Sequence, residues 1–175
     1  RQEINIPLIG FAGAPFTLCS YMVEGGKSRE FKTTKLMMYE ATEVWGMLMD
    51  KVCTMLVDYL KIQVSAGAQA LQIFDSWVGC LSPSDYEKYV LPYSKRVFDG
   101  LKNTGVPVIN FSTGTSTMLD LVQKAGGDVI SFDAHTPHGV SYFRCSALNI
   151  HNSKKFREGI FSCLFCTGEK LKLPG

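Results

Sequence analysis

Short β-rich runs alternate along this chain with longer stretches of helical spacing, and glycine-rich breaks separate them. Residues 4–11 read as a first strand closing at Gly10-Phe11-Ala12-Gly13. Pro15 is placed to open a short helix, Phe16 to Val23, because its fixed φ suits a first helical turn. Gly25-Gly26 then breaks the chain. From Ala41 to Val64, Val44, Leu48, Val52, Met55, Tyr59 and Ile62 form one stripe of a long amphipathic helix, which Ala66-Gly67-Ala68 ends. Gln69 to Phe74 reads as a short buried strand stopping at Asp75-Ser76. Ser82-Pro83-Ser84-Asp85 supplies an N-cap, an N1 proline and an N3 carboxylate, and predicts a helix from there to about Asn103. Val106 to Phe111 is an apolar, β-branched run of the kind covered on both faces. A short helix (Ser116 to Lys124) and a fourth strand (Asp128 to Phe132) complete the pattern.

The order β-α-β-α-β-α-β implies a parallel sheet with right-handed crossovers. Four such strands fit an open doubly wound sheet or about half of a (β/α)8 barrel. Both put ligand chemistry at the C-terminal strand ends: Phe11 to Gly13, Asp75-Ser76, Ser112 to Gly114 and Asp133. An open half-barrel would leave strand edges exposed, so association or poor solubility is expected.

At 175 residues the chain fits one domain or part of a larger one. Its 46% hydrophobic content excludes a disordered chain, and no apolar run is long enough to span a membrane. A net charge of +2 gives no reason to invoke nucleic acid or an anionic membrane. The total hides an asymmetry. Residues 1–133 hold 12 Lys/Arg against 14 Asp/Glu, whereas residues 134–175 hold 6 against 2, with all three histidines and half of the six cysteines. The chain therefore divides at about residue 133 into two parts of different composition, and the alternating pattern of elements stops there. Arg1-Gln2-Glu3-Ile4 runs straight into an apolar segment without a signal-peptide pattern, as in a chain that begins inside a longer protein. Cys19, Cys53 and Cys80 are isolated in apolar or helical contexts, which suits reduced thiols in a cytosolic protein.

Several motifs weaken on inspection. Gly25-Gly26-Lys27-Ser28 lacks the earlier glycine of a phosphate loop, where Tyr21 stands, and no strand directly precedes it. His135, His138, Cys163 and Cys166 offer zinc-type ligands in two close pairs, but no recognisable zinc module surrounds them. Asn110-Phe111-Ser112 matches a glycosylation acceptor, yet Asn110 belongs to a buried strand. Asp75-Ser76 divides evenly between capping a local turn and carrying chemistry at a strand end. On physical grounds alone, Tyr21 reads as a core residue of a short helix.

The segments Pro7 to Leu18, Tyr21-Met22-Val23-Glu24-Gly25-Gly26, Gly67 to Trp77, Leu81-Ser82-Pro83 and Leu91-Pro92-Tyr93 together resemble the uroporphyrinogen decarboxylases, in order and approximate spacing, across residues 5–133. The resemblance implies part of a (β/α)8 TIM barrel, about four β/α units, followed by an irregular tail. It implies removal of the four acetate carboxyls of uroporphyrinogen to give coproporphyrinogen, a step of heme biosynthesis that uses neither metal nor organic cofactor. The substrate supplies its own electron sink: a protonated pyrrole carbon conjugates with the acetate methylene as CO2 leaves. Protein cations hold the substrate carboxylates, and a carboxylate stabilises the protonated pyrrole. Carried over by motif, Tyr21 and Ser76 match substrate-contacting residues and Phe11 an aromatic lining the cleft; Asp75 takes no catalytic role. A soluble cytoplasmic homodimer is the parent this implies, or a plastid protein if a targeting segment was lost.

Departures accompany the match. The family's arginine-rich substrate motif and key aspartate would lie before Arg1, so no catalytic residue is assigned and the chain alone is expected to be inactive. The family's late, glycine-flanked histidine has no counterpart in His135, His138 or His151. Ala134-His135-Thr136-Pro137-His138 departs from the family pattern, as a changed reading frame, a splice variant or a misjoined gene model would produce. Methyltransferases sharing the barrel use a His-x-Cys zinc pair that is absent here. A non-catalytic piece with a metal-binding tail is the remaining alternative.

Overall fold

The structure, a computed structural model, describes residues 6–26 and 28–133. Lys27, the tail 134–175 and with it His135, His138, His151, Cys163 and Cys166 lie outside the described residues.

Four strands, β1 (Ile9–Gly13), β2 (Ala70–Asp75), β3 (Val108–Ser112) and β4 (Val129–Phe132), form one parallel sheet in sequence order. Pairing runs from Ile9 opposite Ala70, through Leu71 opposite Val108, to Ile109 opposite Val129. Six helices lie between the strands: α1 (Pro15–Glu24), α2 (Lys32–Glu40) and α3 (Thr42–Ser65) before β2; α4 (Pro83–Tyr89) and α5 (Leu91–Leu101) before β3; and α6 (Leu119–Ala125) before β4. This is the arrangement of a partial (β/α)8 barrel.

Side chains alternate across each strand, so each face has its own partners. Ala12, Leu71, Ile73, Val108 and Ile130 pack against the helices, into a core with Phe16, Trp45, Met49, Leu56 and Leu60. Ile9, Ala70, Ile109 and Val129 cluster on the opposite face. The central strands β2 and β3 are buried along nearly their whole length, as their apolar composition predicts.

Local signals explain several boundaries. Pro15 opens α1, and Gly25 closes it at φ 66°, donating its N–H to the Tyr21 carbonyl. Ser82 caps α4 as expected: its hydroxyl accepts from the Asp85 N–H at 3.1 Å and donates to the Asp85 carboxylate at 2.7 Å.

Four expectations need correction. The first strand begins at Ile9, and Ile6 to Leu8 precede it without strand structure. The helix expected from Ser82 to Asn103 is two helices, broken at Val90 (φ −126°, ψ −49°). Pro92 has no N–H to donate, and its ring would collide with the Lys88 carbonyl in a continuous helix. The expected α3 stripe holds only at Leu48, which packs on the core, and at buried Val52. Val44, Met55, Tyr59 and Ile62 are exposed, whereas Trp45, Met49, Val52, Cys53, Leu56 and Leu60 are buried. Finally, α2 has no predicted counterpart. Its first turn is satisfied from a distance, by Glu24 accepting from the Thr34 N–H (2.8 Å) and hydroxyl (2.9 Å).

Leu8 and Ala14 bond across to β2, so alternation turns the Phe11 N–H and carbonyl toward the sheet's open side. There the Gln63 carboxamide meets both, accepting from the Phe11 N–H at 2.9 Å and donating to its carbonyl at 3.0 Å. A Cβ at position 10 would lie 2.5 Å from the Gln63 Oε1, so glycine there admits the approach.

Candidate functional site

The register brings Gly13, Phe74, Asp75, Ser112 and Phe132 to one rim, the C-terminal ends of the strands. Asp75 shares the helix-facing side of β2 with Leu71 and Ile73 and is only 4% exposed. Its Oδ1 accepts from the Thr17 hydroxyl at 2.9 Å, and the Thr17 oxygen in turn accepts from the Trp77 N–H at 3.4 Å. One hydroxyl on α1 thus ties down the carboxylate and the loop after β2. Burial pushes the Asp75 carboxyl up to about 7, with the Thr17 bond pulling partly back. Asp75 therefore organises the rim from behind it.

Ser76 is fixed through its backbone. Its carbonyl accepts from the Thr113 hydroxyl at 2.6 Å, while the Thr113 N–H reaches the Asp75 carbonyl at 3.3 Å. The Gly114 N–H donates to the Asp133 carboxylate at 2.8 Å. These bonds join the loops after β2 and β3 around a cleft of about 440 Å³, whose walls include Arg29, Phe31, Ser76, Trp77 and Gly114. The two loops touch at glycines: a Cβ on Gly79 would lie 2.5 Å from the Thr113 carbonyl oxygen and 2.8 Å from the Gly114 Cα. Gly79→Ala is therefore expected to cost about 1–3 kcal/mol by overpacking, read from urea unfolding. An unchanged unfolding midpoint would show that the loops separate freely.

Aromatic rings surround this rim. Tyr21 meets Trp77 edge to face at 5.9 Å, and Phe31 also packs on Trp77, at 5.6 Å. Tyr21 is 49% exposed, so it flanks the cleft rather than filling the core, contrary to the physical expectation for it. Phe11 lies on the sheet face away from the helices and is 64% exposed. It starts an edge-to-face ladder across that face, 6.1 Å to Phe74 and 5.3 Å from Phe74 to Phe111. Ser76 therefore lines the cleft, Tyr21 stands at its flank against Trp77, and Phe11 leads an aromatic wall on the neighbouring face.

Phe74, Phe111, Thr17 and Arg29 escape the sequence reading. Period-two alternation along β2 and β3 would place Phe74 and Phe111 with Phe11, but the Thr17 bond joins residues 58 apart and leaves no local trace. A second concavity, beside Asp50, Thr54 and Arg96, lies on the outer surface of α3 and α5, away from the strand ends. Cys19 and Cys53 are unbridged, and burial pushes their thiols up to about 12 and about 11, which removes them as nucleophiles at neutral pH. Among the described residues, no cluster of three His, Cys, Asp or Glu could hold a metal ion.

The family model for uroporphyrinogen decarboxylase (URO-D) matches residues 1–150. The chain is 61% identical over 135 residues to the uroporphyrinogen decarboxylase of Carboxydothermus hydrogenoformans, covering 76% of this chain and 39% of that one. It is 57% identical over 141 residues to the protein of that name from Citrifermentans bemidjiense, covering 79% and 42%. To the Thermus thermophilus protein it is 53% identical over 137 residues, covering 78% and 40%. The chain thus spans about two-fifths of the length of these curated relatives.

Proposed function

From the premise that this chain belongs to the uroporphyrinogen decarboxylase family, we propose that it supplies part of the cleft of an enzyme converting uroporphyrinogen to coproporphyrinogen. The observation that carries this reading is the placement of the family-matched residues. Ser76 lines a cleft at the strand ends, Tyr21 flanks it, and Phe11 stands at the rim of the aromatic face.

The chemistry suits a site that holds and orients. Protonation of a pyrrole carbon lets the macrocycle accept the electron pair left as CO2 departs, so the protein must grip carboxylates and exclude water. The Ser76 and Tyr21 hydroxyls donate hydrogen bonds to substrate carboxylates. Phe11, Phe74 and Phe111 offer ring edges and faces to the tetrapyrrole. Asp75 remains a positioning residue, held by Thr17 behind the rim. The residues described here hold neither the arginine-rich motif nor the aspartate that the resemblance implies, so the 175-residue chain alone is inactive. The same reading makes the parent a homodimer. Unbridged cysteines, with no described helix long and apolar enough to cross a membrane, suit a cytoplasmic protein.

Two measurements test this. Anaerobic incubation with uroporphyrinogen, followed by chromatography of the oxidised porphyrins, should show no enzymatic formation of coproporphyrinogen by this chain. Turnover near that of a full-length relative would overturn that expectation. Fluorescence titration with uroporphyrin should show binding that Ser76→Ala and Tyr21→Phe each weaken by about 3–10-fold, the net worth of one ordinary hydrogen bond. A wild-type chain that binds no uroporphyrin would sink the assignment.

A further inference from the structure

The same cleft contains a cation to which the sequence reading assigns nothing. Among the described basic residues, Lys32, Lys95, Arg96 and Lys102 are ion-paired, to Glu30, Asp99, Asp50 and Asp99. Lys88 lies over the ring of Tyr89. Arg29, like Lys35, Lys51, Lys61 and Lys124, has no carboxylate partner among the described residues, but it alone of these lines the cleft beside Ser76 and Trp77. A guanidinium is always charged and presents its donors in a planar fork suited to a carboxylate.

The segment carrying Arg29 is anchored on both sides. Before it, Gly25 closes α1 in the left-handed region, and Glu24 is held by the Thr34 N–H and hydroxyl. After it, Phe31 donates its N–H to the Ser28 hydroxyl at 3.0 Å. Phe31 has φ 52°, the only non-glycine with positive φ among the described residues, and its buried ring packs on Trp77. A phenylalanine held in that conformation costs free energy, which its packing on Trp77 offsets. The consequence is that Arg29 is carried on a fixed loop directly at the cleft wall.

Trp77 adds a second donor. Its indole N–H is buried and has no acceptor in the structure, an arrangement that costs free energy until a ligand or water meets it. With the Ser76 hydroxyl and the Arg29 guanidinium, residues of two loops around the cleft carry three donor groups. The acid lining the same cleft, Asp133, accepts from the Gly114 N–H.

We infer that Arg29, with the Ser76 hydroxyl and the Trp77 indole N–H, forms a carboxylate subsite that holds one acidic side chain of the tetrapyrrole. This inference rests on the decarboxylase reading and names a residue of its cleft.

The test is fluorescence titration of the 175-residue chain with uroporphyrin and with coproporphyrin, at low and moderate salt. Arg29→Ala should weaken uroporphyrin binding about tenfold and flatten its salt dependence, the loss of one charge-assisted contact. Arg29→Lys should recover part of the affinity, because an ammonium keeps the charge without the fork. Lys124→Ala, removing an exposed cation on α6, should bind like the wild type. If Arg29→Ala also weakens coproporphyrin binding, the side chain held is a propionate; if only uroporphyrin binding falls, it is an acetate. Wild-type binding with Arg29→Ala unchanged, or with Lys124→Ala equally weakened, overturns the subsite and leaves the decarboxylase reading standing. A wild-type chain that binds neither porphyrin overturns the decarboxylase reading itself, and the subsite with it.

Discussion

Raising the pH from about 4.5 to about 7.5 should destabilise this chain, and Asp75→Asn should remove most of that loss. The unfolded carboxyl titrates near its ordinary value of 3.8, whereas burial raises the folded one to about 7. Between those values the folded state keeps a proton that the unfolded state has released, so each increase in pH favours unfolding. Above the folded value both states are ionised and the loss levels off. At about 1.4 kcal/mol per pH unit, the full span corresponds to about 4 kcal/mol as an upper bound. Glu24 and Asp99, both held below the usual carboxylate range, act in the opposite sense: their contribution is lost as the pH falls through those lower values. Asp99 is exposed and Glu24 half-buried, both in reach of solvent, so screening keeps that effect small. Urea unfolding at four pH values, wild type beside Asp75→Asn, measures the difference. Parallel pH profiles would place the charge cost elsewhere than at Asp75.

Trp45→Ala should be among the most damaging single changes, about 3–5 kcal/mol, because it empties a large fully packed site. Trp45 is 1% exposed, donates its indole N–H to the Tyr89 carbonyl at 3.0 Å and meets Phe16 edge to face at 6.1 Å. Removal leaves both a cavity and a buried carbonyl without its donor. Met47, two residues further along the same helix, is 62% exposed, so Met47→Ala should stay within about 0.5 kcal/mol. The pair tests which face of α3 is inside. Equal losses, or a larger one at Met47, would reverse the assignment.

That face was not legible from the sequence for a specific reason. Apolar residues almost encircle α3, and the expected stripe runs from exposed Val44 past inward-packed Leu48 and Val52 to exposed Met55, Tyr59 and Ile62. Packing against Phe16, the Tyr89 carbonyl and the sheet decides which face is inside, and those partners come from distant parts of the chain. The α4 start was legible because Ser82, Pro83 and Asp85 carry the whole cap within four residues. The α2 start was not, since its donors are met by Glu24, ten residues from Thr34. The site divides in the same way. Ser76 and Tyr21 sit in contiguous segments whose order and spacing carry the resemblance, whereas the Thr17–Asp75 bond and the Phe31–Trp77 packing emerge only when separate loops meet.

The Gln63 contact on β1 has a bearing on assembly. A parallel strand approaching that side would seek the Phe11 N–H and carbonyl, and the carboxamide already occupies both as a stand-in peptide group. Replacing it exchanges two hydrogen bonds for two, so incoming backbone gains little at that residue until further residues zip up beside it. A strand entering there gains over the carboxamide only through residues that pair beyond Phe11. Edge closure at Phe11 becomes a competition decided by the length of the partner.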